Sequence, residues 1–147
     1  MIDTENRSYW IIDILPKQVP SESPGRYFTV EKYFLSRMDE LCRKFADLLN
    51  KVNCYCELEV CLDCESFNGD FAPEDLERFL CETVTSDYPL YIRVNHSDAL
   101  FAYAGAEHYL TLYEPDPELL DLVRRLAPAE GLFVWTPFSG LPDSSSL

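Results

Sequence analysis

The chain predicts an α/β (α+β) fold in which a single-layer mixed β-sheet is packed by about three helices. Two kinds of apolar pattern carry that prediction. Some short runs place apolar residues at every second position, as a pleated strand does, while others step by three or four, as a helix face does. Clusters of Pro, Gly, Asn and Asp separate them, and the resulting order is β-α-β-α-β-β-β-α-β. No repeat and no second core interrupts it, so residues 1–138 form one domain and 139–147 a disordered tail. A ferredoxin-like variant is the nearest architecture on topology alone.

The first strand, over 8–15, has apolar residues on both faces and is therefore expected inside the sheet. Pro16, Pro20, Pro24 and Gly25 then form a stiff loop. Thr29 is placed to cap a long helix whose inner stripe is Val30, Phe34, Met38, Leu41, Phe45, Leu48 and Val52. A second strand is expected over 54–62, its even positions buried and its odd positions wet. Pro73, followed by Glu74 and Asp75, opens a short helix with Leu76, Phe79, Leu80 and Val84 inside.

The third strand covers 88–95. A hairpin over 100–104 and 107–113 turns at Gly105. Asp116-Pro117-Glu118 supplies a cap, a first-turn proline and an acid, and Pro128 ends the helix that follows. The last strand, over 132–136, is apolar on both sides and reads as central.

Charge is distributed unevenly. Of 147 residues, the first 53 hold eight acids and eight bases, and the remainder carries the whole net charge of −14. Nine acids fall between Glu57 and Glu82 with Arg78 as the only base among them. Such a field repels nucleic acid and anionic membrane and attracts basic partners. Glu57, Glu59, Asp63, Glu65 and Asp70 are the candidate binding acids, and an inhibitor or immunity-type protein engaging a basic protein is the reading that they favour. No apolar run approaches the ~20 residues of a membrane span, and the polar N-terminus has no export signal. The six cysteines are therefore expected as free thiols in the cytoplasm.

Catalytic and metal chemistry find little support. Cys54, Cys56, Cys61 and Cys64 would be strung along a strand, with Cys54 and Cys61 about 23 Å apart, too far to share a zinc ion. Cys61 and Cys64 have redox spacing, but Glu59, Asp63 and Glu65 around them would raise a thiol's pKa. The loop from Asp63 to Asp70 fails the calcium-loop pattern, since Cys64 stands where the first acid belongs. No nucleophile elbow, phosphate loop or zinc-protease pair is present. No cofactor is expected, and the balance leans away from an enzyme.

Tyr91, Arg93, Phe101, Tyr103, Tyr109, Thr111 and Tyr113 share odd parity, which would gather them on one aromatic sheet face around an arginine. Aromatic rings and arginine are what binding surfaces concentrate. Tyr91, Arg93 and Tyr109 are its candidate residues, for a homodimer interface or a ligand. Two alternatives to the basic-partner reading follow. One is a small-molecule or enzymatic site near His108 and Arg93, which a deep polar pocket beside that histidine would favour. The other is a homodimeric scaffold.

Overall fold

The computed structural model describes residues 7–20, 22, 24–63, 65–105 and 107–137, so the expected tail lies outside the described residues. The fold class is as the sequence predicts: four α-helices and a six-stranded sheet, with helices packed on one face. The strands are β1 (Tyr9–Asp13), β2 (Leu58–Cys61), β3 (Leu90–Val94), β4 (Leu100–Tyr103), β5 (Tyr109–Tyr113) and β6 (Phe133–Trp135). The helices are α1 (Pro24–Leu35), α2 (Met38–Asn53), α3 (Pro73–Thr83) and α4 (Pro117–Leu126), the last running into a 3-10 turn at Ala127–Glu130.

The spatial order is β2-β3-β4-β5-β1-β6, and every adjacent pair is antiparallel, so the sheet is not the mixed one that the sequence predicts. Strands β1 and β2 run in the same direction but lie at separate places, joined by the α1–α2 crossover. Helix α4 likewise carries the chain from β5 over β1 to β6. The pattern is a ferredoxin-like sheet widened by two strands between its first and second.

One face of the sheet meets α2, α3 and α4. Ile12, Leu58, Val60, Leu90, Ile92, Phe101, Tyr103, Leu110 and Leu112 form its side of the core, against Leu41, Phe45, Leu48 and Val52 of α2. Each fully buried side chain of this kind contributes roughly 1.5–3 kcal/mol. Asp116 caps α4 as expected, its Oδ1 accepting from Leu119 N at 2.7 Å. Asp75 Oδ2 reaches back to accept from Ala72 N at 2.8 Å and closes the start of α3.

Several expectations need correction. The single long helix is two, broken at Ser36 and Arg37. Thr29 lies inside α1 and donates to Gly25 O at 3.0 Å instead of capping a helix. The upstream half of the stripe is only partly kept: Val30 is exposed, while Phe34 is half-buried against the core. Strand β2 is shorter than expected: Cys54 ends α2, exposed, and Cys56 is half-buried. Strand β6 is an edge, and Phe133 is 47% exposed.

Phe101 and Tyr103 are not on the predicted aromatic face. Phe101 stands opposite Ile92 and Leu112, and Tyr103 opposite Leu90, all on the helix side. Tyr91, Arg93, Tyr109, Thr111 and Tyr113 do share the other face, joined there by Tyr9, Ile11, Asp13 and Trp135 through the register of β1 and β6.

Candidate functional site

The opposite face of the sheet is partly roofed. After β1 the chain runs through Leu15, Lys17, Gln18, Val19 and Pro20, and the first turn of α1 brings Tyr27 and Phe28 alongside. Between this roof and strands β5, β1 and β6 lies a trough of about 840 Å³. Its floor is built in rungs by the register: Tyr9 beside Tyr113, Ile11 beside Thr111 and Trp135, Asp13 beside Tyr109. From the first rung to the last is about 13 Å. Arg7 stands beyond one end and Lys17 beyond the other.

A buried polar cluster closes the Asp13 end. Asp13 is 2% exposed and His108 6%. His108 lies one residue before β5, and there its ring leaves the strand's parity and meets Asp13, Nδ1 to Oδ1, at 2.9 Å. Its Nε2 lies 2.9 Å from the Tyr27 hydroxyl and 3.2 Å from Glu31 Oε2. The Tyr27 hydroxyl donates to Glu31 Oε2 at 2.7 Å. The Asp13 hydrogen bond lifts the His108 pKa above its ordinary value against the opposing effect of burial, and the charges of Asp13 and Glu31 add to it. Burial, then Glu31, pushes the Tyr27 phenol well above its usual range, so it stays protonated. Tyr109 is raised in the same way, by burial and then by its hydrogen bond to Glu107.

The predicted site residues separate into three groups. Tyr109 is in the trough wall, with His108 at its end. Tyr91 is on the same sheet face but two strands away, half-buried between Cys61 and Ala102. Arg93 does not reach His108. It lies roughly 19 Å off by strand geometry, its Nε and Nη2 both donate to Glu59 Oε1 at 3.0 and 2.9 Å, and its guanidinium stacks on Phe67.

The acids are largely engaged. Glu57 and Glu59 clasp His96, at 2.8 Å to Nε2 and 3.0 Å to Nδ1. Asp63 Oδ1 accepts from Glu65 N and Ser66 N, which hold its carboxyl below the usual carboxylate range. Glu65 and Asp70 are exposed, with no ion pair among the described residues. Glu59 and Asp63 thus organise structure, and a charge reversal at them would disturb the fold together with any partner.

Sequence reasoning missed Asp13, Tyr27 and Glu31 as partners of His108. The one available signal was an acid inside an otherwise apolar strand, since a buried carboxylate needs a cation or donor. It also missed Arg7, Lys17, Tyr9 and Trp135, which come from chain segments far apart. The indole Nε1 of Trp135 is buried and has no hydrogen-bond partner among the described residues. Among those residues no group of His, Cys, Asp and Glu could hold a metal ion, and no helix is long and apolar enough to cross a membrane. Comparison with known proteins matched no family model, no curated protein and no solved structure.

Proposed function

We propose that the protein binds a small molecule in the trough beside His108. The observation that carries this reading is the trough itself. At about 840 Å³ it falls within the size range of small-molecule sites. Its wall also has their composition, mainly apolar, with six tyrosine, phenylalanine and tryptophan rings and a few polar groups among them.

Binding is favoured over catalysis by the state of His108. Both ring nitrogens are engaged, one by Asp13 and the other by Tyr27 and Glu31, so neither is left to take a proton from a ligand. The cluster instead anchors α1, and with it one side of the trough, to the sheet.

The test is an amide-resolved NMR titration of the protein with a library of small aromatic and aliphatic compounds. Ligands should perturb residues of β1, β5 and β6 together, including the Trp135 indole N–H. Thr111→Phe, which fills the floor, should abolish the response while keeping a dispersed spectrum, and Tyr113→Ala should weaken it. Perturbations scattered over the surface, or unchanged in both variants, would remove the trough from consideration.

A second reading, engagement of a basic protein, is supported by a different surface. Glu65, Asp70 and Glu74 are exposed and without ion pairs among the described residues. Charge steering would act through these three acids rather than through Glu57, Glu59 and Asp63.

A further inference from the structure

Acids outnumber bases by 26 to 12 in this chain, so an exposed base has carboxylates to choose from. Six of the twelve have found one: Arg37 pairs with Glu40, Arg43 with Glu77, Lys51 with Glu130, Arg78 with Asp75 and Glu82, Arg93 with Glu59 and Arg125 with Asp121. Arg7 and Lys17 have not. Arg7 donates to the backbone carbonyl of Asp98 at 3.3 Å, and neither side chain forms an ion pair with a described residue.

Both stand at the trough. Asp13 is the only carboxylate in its wall among the described residues, and that group is committed to His108. The wall is therefore locally cationic in a molecule that is otherwise strongly anionic. Between the cations the rungs present the rings of Tyr9, Tyr113, Tyr109 and Trp135, surfaces on which a flat ring system stacks. The wall also holds a donor with no acceptor among the described residues, the buried Trp135 N–H.

From this arrangement we infer that the ligand is an organic anion on a flat aromatic body, its acidic group held by Arg7 or Lys17 and its ring laid on the tyrosine rungs. The inference rests on the trough being a binding site and adds the chemical class of what enters it. The acidic group offers oxygen acceptors to a guanidinium or ammonium donor, the stronger class of hydrogen bond. A neutral ring of the same shape keeps the stacking and loses that bond. A cationic ring meets like charge at both ends.

Two fluorescent probes separate the parts of the claim. 8-Anilinonaphthalene-1-sulfonate carries an anionic group on a flat naphthalene, and N-phenyl-1-naphthylamine is its neutral counterpart. The folded protein should bind the anion at one site, roughly tenfold or more tighter than the neutral probe, the scale of one charge-assisted hydrogen bond. The double variant Arg7→Gln with Lys17→Gln should erase that preference and leave the neutral probe unchanged, and the single variants show which end holds the anion. Thr111→Phe or Tyr113→Ala should weaken both probes, with near-UV circular dichroism verifying the native fold. Equal affinity for the two probes, or anion binding indifferent to the double variant, overturns the anionic class and leaves the trough standing. Failure of the wild type to bind either probe, or binding indifferent to both floor variants, overturns the trough itself.

Discussion

At the residue scale the decisive contact is Asp13 with His108. A carboxylate that is 2% exposed is tolerable only because a donor sits 2.9 Å away. The ring's raised pKa makes the pair a contributor to pH-dependent stability. The folded state holds the proton more tightly than the unfolded chain, in which histidine titrates near ~6.5. The stabilisation is therefore complete below about pH 6.5 and is lost as pH rises through the folded value. The loss is partial, because a neutral ring can still donate one hydrogen bond from Nδ1. Urea unfolding of the wild type should show stability falling above that pH. His108→Gln, which keeps a neutral donor, should lack the His108 share of that slope. His108→Ala leaves the buried carboxylate alone and should cost roughly 3–5 kcal/mol. A wild-type slope identical to that of His108→Gln would show that the ring carries no extra proton in the fold.

At the element scale, the sheet explains both what parity could read and what it could not. Tyr91 pairs with Ala102, so odd positions of β3 lie beside even positions of β4, and Ala102 in turn lies beside Thr111 of β5. Parity flips twice. The odd residues of β3 and β5 come back to one face, while Phe101 and Tyr103, on the strand between, go to the other. Hairpin loop length sets this register, and alternation within each strand carries no trace of it. Helices α3 and α4 were legible because Pro73 and Asp116-Pro117 are local signals with local mechanisms. The break at Ser36 was not, because the stripe runs on through residues that α1 leaves uncovered. The β4–β5 turn adds a constraint of its own. A Cβ on Gly105 would fall 2.7 Å from Thr83 O and 2.8 Å from Val84 O, both backbone atoms at the end of α3. Gly105→Ala must push the hairpin away from the helix and should lower stability by about 1–3 kcal/mol. An unchanged urea midpoint would mean that the turn does not pack there.

At the scale of the whole molecule, the trough was hidden from the sequence because its wall is assembled from residues near 7–20, 27–28, 108–113 and 135–137. Charge asymmetry could be counted along the chain; a concavity made by four distant segments could not. The same assembly sets how the molecule moves. None of residues 25–35 is buried, whereas α2 buries Leu41, Phe45, Leu48 and Val52 among others. Helix α1 therefore takes little support from the apolar core beyond half-buried Phe34, and Tyr27 and Glu31 tie it to the sheet at His108. Local opening free energies follow such differences in packing. Amides of α1 should exchange hydrogen for deuterium well before those of α2. His108→Gln should speed α1 further while leaving α2 near the global rate. Because Tyr27 and Phe28 also line the trough, an occupied site should slow exchange in the first turn of α1. If α1 exchanged as slowly as α2, or ignored both the variant and the ligand, its attachment would not run through the His108 cluster, and the trough would lack the movable wall assigned to it.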